Sequence, residues 1–169
     1  MQSAVKIRPI DADLLPPVRH AVLWPSVPLE SQLLPFDHAT TTIHYGAFLP
    51  DHSSRPVGCL TLTEEAYKKN LPPSVTVISP RNQYQVHKFA VYKEYQGQRI
   101  GSDLFRHTLA ELRRQHGAPV LLHLDARLEQ KGWYERFGLQ ALDDEVFIKT
   151  GPTGNGPTVE YIRLGIVLE

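Results

Sequence analysis

The chain of 169 residues is predicted to be an α/β protein with a mixed, mostly antiparallel central sheet of about seven strands flanked by helices. Three observations predict this. Runs rich in β-branched and aromatic residues recur at strand length, bounded by Gly, Pro and polar clusters. One segment, Gln98 to Gln115, carries apolar residues at helical spacing. The order is strand, helix, several antiparallel strands, then strand–helix–strand–helix–strand–strand, which excludes a doubly wound parallel sheet. The length suits one domain over residues 1–169, and a hydrophobic content of 41% is enough to fill one core.

Ala4 to Ile10 alternates apolar and polar residues, with Val5 and Ile7 on one face, and reads as the opening strand. Asp11 is placed to cap a helix running through Asp13 to Val22, with Pro16 and Pro17 in an early turn or kink. Pro25, Pro28 and Pro35 make Trp24 to Pro35 an irregular connection with room for one helical turn. Thr40 to Leu49 and Val57 to Thr63 read as a hairpin around the polar turn Pro50 to Pro56. Glu64 to Ser79 is ambiguous: Lys68, Lys69 and Asn70 suggest a solvated bend, and Pro72 and Pro73 forbid a long helix.

Gln83 to Val91 is the next strand. The helix Gln98 to Gln115 puts Ile100, Leu104, Phe105, Thr108, Leu109 and Leu112 on one face, and Gly117 is its stop. Val120 to Leu124 is apolar apart from His123, as in a strand covered on both faces. Glu129 to Phe137 is a short helix closed by Gly138, Leu139 to Ile148 a strand, Thr150 to Pro157 a loop, and Val159 to Leu164 the last strand.

Composition narrows the function. With 18 basic and 18 acidic side chains the formal charge is zero, so no net basic field draws in nucleic acid. Cys59 is the single cysteine, which excludes an internal disulfide and a cysteine-based zinc site. It sits in a strand-like run and reads as a small buried apolar residue. The N-terminus shows no secretory pattern and no apolar run is long enough to cross a bilayer, so a soluble cytoplasmic protein is expected.

Two segments can carry chemistry. The turn Gln96-Gly97-Gln98-Arg99-Ile100-Gly101-Ser102 joins a strand to the long helix. Its backbone N–H groups, at the positive end of that helix, suit a pyrophosphate. It lacks the G-x-G-x-x-G of a dinucleotide fold and the G-K-[ST] of a P-loop. The plain alternative is a strand-to-helix turn with glycines for geometry. The second segment is Asp125-Ala126-Arg127 with Trp133 to Leu139, following the buried-looking strand. The two segments come after neighbouring strands joined by the long helix, so both can face one cleft. Tyr134 either offers a phenol there or packs on the sheet with its hydroxyl satisfied.

Taken together, these residues resemble the GNAT superfamily of acyl-CoA N-acyltransferases. Phe89-Ala90-Val91 followed by Tyr95-Gln96-Gly97-Gln98-Arg99-Ile100-Gly101 is similar to the family's strand-and-turn pattern. Ala126, Arg127, Tyr134, Glu135, Arg136 and Gly138 are similar to its second pattern. Arg99 departs by standing where a glycine is usual, and Asp125 by replacing an asparagine, which puts an acceptor-only carboxylate in place of an amide.

The resemblance implies an acetyl-CoA-dependent N-acetyltransferase of that fold, moving acetyl directly to a primary amine of a small molecule or peptide, with acetyl-CoA as cosubstrate and no metal. It implies that Gln96, Gly97, Gln98, Arg99, Ile100, Gly101 and Ser102 cradle the pyrophosphate, and that Phe89, Ala90 and Val91 splay from the next strand to bind the pantetheine arm. Val91 N–H would stabilise the oxyanion, Asp125 would lie at the cofactor, and Tyr134 would be the general acid. For the base, His87 is one candidate, since imidazoles titrate near neutrality; Glu64 and the adjacent Glu65 are others. His123 reads as a satisfied core residue. The loops after Trp24, after Glu64 and at Thr150 to Pro157 are expected to shape the acceptor pocket. Neither nucleic acid nor membrane is an expected partner, and a homodimer is compatible with the sequence. A GNAT-like module that holds an acyl-CoA without turnover is the alternative.

Overall fold

The computed structural model describes residues 5–75, 78–116, 119–150 and 158–169. The seven strands are β1 (Lys6–Ile10), β2 (Ile43–Phe48), β3 (Gly58–Glu64), β4 (Gln83–Val91), β5 (Val120–Arg127), β6 (Gln140–Lys149) and β7 (Val159–Leu168). They form one sheet in the order β1-β2-β3-β4-β5-β7-β6. The pairs β1/β2, β2/β3, β5/β7 and β6/β7 are antiparallel, while β4 and β5 run parallel from Gln83 opposite Leu121 to Val86 opposite Leu124. Parallel neighbours need a crossover, and the long helix α2 (Ile100–Gln115) supplies it. The predicted mixed, mostly antiparallel sheet is therefore observed. Two shorter helices, α1 (Pro16–Val22) and α3 (Lys131–Glu135), complete the regular structure among the described residues.

The chain divides into two compact units, Met1–Thr63 with His87–Leu112, and Glu64–Val86 with Arg113–Glu169. In the first, α2 buries the predicted stripe of Ile100, Leu104, Phe105, Thr108, Leu109 and Leu112. Its first turn starts at Ile100, two residues later than the spacing predicts, because Arg99 has φ 65°, outside helical space. Ala12, Leu15, Val18, Cys59 and Ala90 form one core cluster, and Ala47, Val57, Val91 and Ile100 another, against which Val5 and Ile7 pack as their alternation predicts. Burial pushes the Cys59 thiol up to about 12, so it is inert, as the strand-like setting implies.

The predicted Asp11 helix is two elements. A 3-10 turn spans Ala12–Leu14, and α1 begins at Pro16, with the prolines in its first turn where a missing N–H costs nothing. Asp11 precedes the 3-10 turn without a side-chain capping bond. The connection after α1 is irregular with one 3-10 turn at Leu29–Ser31, as expected.

That connection is tied down by a fully buried ion pair. Arg19 and Asp37 have side-chain exposures of 0% and 0%. Arg19 Nη1 donates to Asp37 Oδ2 at 2.6 Å and to the Gln32 carbonyl at 3.0 Å. Its Nη2 donates to Asp37 Oδ1 at 2.9 Å and to Thr61 Oγ1 on β3 at 3.0 Å. The Leu34 N–H also donates to Asp37 Oδ2, at 2.6 Å. His44 on β2 bridges Thr61 Oγ1 and the Asp37 carbonyl at 2.8 and 2.9 Å. A carbonyl only accepts, so Nε2 carries the ring proton. Burial acts to raise the Asp37 carboxyl, but the bonds from Arg19 and Leu34 outweigh it and hold the group below the ordinary carboxylate value.

In the second unit, Val75, Ile78, Leu121 and Leu142 form the core, with Tyr67, Leu71 and Val167 packed around it. The bend after β3 is held by Glu65 N–H to the Gln83 carbonyl at 3.0 Å, Tyr67 N–H to Gln83 Oε1 at 2.8 Å and the Tyr67 hydroxyl to Asp143 Oδ2 at 2.6 Å. Lys69 pairs with Glu145 beside it. The β6/β7 register shifts between Ala141 and Val146. The bulge brings Leu142 inward over Gly165, where an added Cβ would lie 2.8 Å from a Leu142 methyl. Strands β5 and β7 extend past their predicted ends, so Asp125, Ala126 and Arg127 lie within β5 rather than after it. The Gly117 stop and most of the loop before β7 lie outside the described residues.

Removing one partner of a buried pair leaves an uncompensated charge or donor set. Asp37→Asn is expected to lower unfolding free energy by about 3–5 kcal/mol, read from urea midpoints. A shift of under about 1 kcal/mol, the range of exposed pairs, would show that the pair adds nothing.

Candidate functional site

The turn into α2 lies in the first unit. Gly97 has φ 79° and Arg99 φ 65°, both left-handed. Right-handed residues follow at once from Ile100. A left-handed residue before a right-handed one gathers successive N–H groups toward one side, a concavity suited to an anion. The Asp103 N–H donates to the Arg99 carbonyl at 2.9 Å, and the amides ahead of it have no carbonyl four residues back within the helix. Gln96 Nε2 donates to the Val91 carbonyl at 2.9 Å, so this side chain braces the turn against β4.

The turn has two glycines, and glycine permits positive φ or close backbone approach. The left-handed positions are Gly97 and Arg99; Gly101 is helical. A Cβ at Gly101 would lie 3.6 Å from Phe89 Cζ, an ordinary contact. Nothing in the surrounding protein demands glycine there. Tyr95, part of the same pattern, packs with Phe89 and Tyr92 on the Val91 and Ile100 cluster. Ser102 sits half-buried in the first helical turn, and Gln98 Nε2 reaches the Glu94 carbonyl at 3.4 Å.

Strand β4 carries an irregularity that the sequence does not signal. Lys88 has φ 49°, rare for a long side chain inside a strand. It breaks the regular geometry just before Phe89-Ala90-Val91. The Lys88 ammonium lies 4.1 Å from the Trp24 ring centroid, and the Phe36 and His87 rings are 4.8 Å apart. The connection fixed by Arg19 and Asp37 thus touches β4 at the irregular residue and the one before it. Phe89 itself stacks on Phe105 of α2, with centroids 5.9 Å apart and planes 6° from parallel.

The second unit carries Asp125 and Tyr134. Asp125 Oδ2 accepts a bond from Lys149 Nζ at 2.6 Å, and that ammonium lies 4.8 Å from the Tyr161 ring. The carboxylate is thus engaged by a residue that sequence reasoning missed; a lysine ending one strand gives no sign that it meets an aspartate on another. Tyr134 is half-buried on α3, its ring edge-on to Trp133 at 4.9 Å. Burial pushes its phenol up to about 12, only partly opposed by the Arg127 cation. The hydroxyl therefore stays protonated at neutral pH, as a proton donor must and a base must not. Gly138, with φ 96°, closes the turn after α3.

Of the base candidates, His87 is half-buried against Phe36, and Glu64 is exposed at the end of β3. The neighbouring Glu65 side chain lies 3.9 Å from Lys68. His123 is buried, with Nε2 donating to the Glu65 carbonyl at 2.7 Å. Burial lowers its pKa, with that bond in partial opposition. It is the satisfied core histidine expected. Among the described residues no group of His, Cys, Asp and Glu could hold a metal ion, and no helix is long and apolar enough to cross a membrane.

The seven-stranded mixed sheet flanked by helices is the acyl-CoA N-acyltransferase fold. The chain belongs to the acetyltransferase (GNAT) family, whose domain model matches residues 45–140, more than half its length; its activity class is acyl transfer. The fold is similar to that of ElaA from Escherichia coli, with a TM-score of 0.66 and 16% identity, covering 95% of this chain and 98% of that one. It is also similar to the ribosomal-protein-S18-alanine N-acetyltransferase from Escherichia coli, with TM-score 0.67, 15% identity and coverages of 98% and 94%. An aminoglycoside 6′-N-acetyltransferase complexed with coenzyme A gives TM-score 0.62 and 14% identity, covering 97% of each chain. No curated protein matches the sequence.

Two outcomes follow from this geometry. Gly101→Ala leaves thermal stability at or above the parent's, since alanine favours a helix interior by about 0.5–1 kcal/mol; a lower midpoint would mean that the turn itself needs the glycine. Separately, His44 and His123 have native pKa values below the ordinary 6.5. In each case burial is the main cause. The unfolded chain then binds protons that the native state refuses, so stability is full above pH 6.5 and falls as pH drops below it. The slope for each histidine is at most about 1.4 kcal/mol per pH unit. Urea midpoints that stay flat from pH 7 to 5 would contradict this.

Proposed function

We propose that this chain is an acetyl-CoA-dependent N-acetyltransferase that transfers acetyl directly to a primary amine of a small molecule or peptide. The observation that carries the reading is the anion-suited turn Gln96–Ser102 inside the span matched by the family model. The residues fit the cofactor: amides gather at the positive end of a 16-residue helix, and Gly101 presents no side chain there. Acetyl-CoA supplies an activated thioester carbonyl.

In this reading the amides of Gly97 to Ser102 hold the diphosphate, and the backbone of Phe89, Ala90 and Val91 binds the pantetheine arm. Val91 N–H stabilises the oxyanion as the amine attacks. The C–S bond then breaks, and Tyr134 gives its proton to the departing sulfur. His87 or Glu64 takes the proton that the amine sheds. Asp125, neutralised by Lys149, acts at the cofactor as a fixed dipole rather than an open charge. The protein works in the cytoplasm as a single domain, as a monomer or a homodimer, without metal, nucleic acid or membrane.

Thiol release with acetyl-CoA over a panel of amino sugars, polyamines, amino acids and peptide N-termini tests the reading. Tight acetyl-CoA binding with no turnover on any amine would identify a binding module instead. Tyr134→Phe is expected to lower kcat on the order of 10²-fold with acetyl-CoA affinity nearly unchanged; parent kinetics would reject the acid role. Gly101→Asp, which puts bulk and negative charge on the phosphate site, is expected to weaken calorimetric affinity for acetyl-CoA by about tenfold or more. An unchanged affinity would move the phosphate elsewhere.

A further inference from the structure

The turn into α2 contains a residue that its own conformation disfavours. Arg99 adopts φ 65°, where glycine pays no steric penalty and a long side chain does. Glycine would build the same turn more cheaply, so the arginine side chain is retained at a cost to the fold. Its internal contacts do not account for it. Arg99 is exposed, and among the described residues its guanidinium makes no hydrogen bond or ion pair. It is also the only charged side chain between Gln96 and Ser102. The next cation along the helix, Arg106, lies 3.7 Å from Asp103.

We propose that Arg99 is a specificity residue that recognises the ribose 3′-phosphate of coenzyme A and so discriminates the full cofactor from its dephospho form. The inference rests on the cofactor reading above and goes beyond it. Backbone amides serve a group lying against the chain itself, and the diphosphate is that group. A guanidinium stands at the end of a long arm, so it serves an anion farther out. The 3′-phosphate is a monoester with close to two negative charges at neutral pH, and a planar guanidinium offers it two parallel donors. The amides of the turn have no such reach.

Arg99→Gly separates the possibilities, because glycine is at ease at φ 65° and the turn survives the change. Calorimetry is run on parent and variant with acetyl-CoA and with acetyl-dephospho-CoA. The parent is expected to prefer acetyl-CoA by about tenfold or more. The variant loses that preference by weakening for acetyl-CoA alone, with a thermal midpoint at or above the parent's. An unchanged preference in the variant would overturn the assignment. Equal weakening toward both ligands would also overturn it, placing the guanidinium on the diphosphate. A parent that binds neither ligand would overturn the cofactor reading itself together with this inference.

Discussion

The salt bridge between Arg19 and Asp37 is completely shielded from water, and much of the first unit is arranged around it. Two charges leave water at high cost, which close pairing and hydrogen bonds to the remaining donors and acceptors offset; of the three guanidinium nitrogens only Nε has no partner among the described residues. Here the guanidinium meets a carboxylate, a carbonyl and a hydroxyl, and the carboxylate also meets the Leu34 amide. These partners come from α1, the irregular connection and β3. A segment with three prolines and a single 3-10 turn has little backbone bonding of its own, so this side-chain network takes the place of regular structure. The same network reaches β2 through His44, whose neutral ring completes it. From there the connection places Trp24 against Lys88 and Phe36 against His87. The strand segment before the turn into α2 is thereby braced by that ion pair.

Much of the architecture was legible because apolar periodicity reports burial directly. Strand β4 matches its predicted limits, and the apolar face of α2 is the one that the spacing marks. Prolines and polar clusters located the connections for the same reason, since they interrupt bonding ladders. Less legible were features that depend on a partner distant in sequence. Strands β5 and β7 outrun their apolar cores because each continues pairing through polar residues, Asp125 opposite Arg163 and Arg127 opposite Tyr161. Asp11 has the residue type of a cap, yet the prolines at 16 and 17 place the start of the α-helix at Pro16, five residues on, and leave the aspartate before a 3-10 turn.

The site shows the same division. The turn and Tyr134 were visible as patterns, while the backbone states that shape the turn were not. Arginine and lysine give no local signal for left-handed φ, so Lys88 and Arg99 are known only from the structure. The setting of Asp125 depends on Lys149, and that of the Glu65–Tyr67 segment on Gln83, His123 and Asp143, all remote along the chain. The neutral overall charge hides this local organisation. Opposite charges meet locally instead of forming a field: Lys149 pairs with Asp125, and Arg163 lies against both Asp143 and Glu145.

The sheet has two outer strands, β1 and β6, and an outer strand is a template on which another chain can add. Pro9 leaves β1 one donor short. On β6 the irregularity between Ala141 and Val146 carries Asp143, Asp144 and Glu145, which interrupt the ladder and repel an incoming strand. Beyond it, Val146 and Ile148 remain 45% and 62% exposed on a regular stretch. If self-association begins at this margin when the protein is stressed, that short stretch is where the first intermolecular strand would seat.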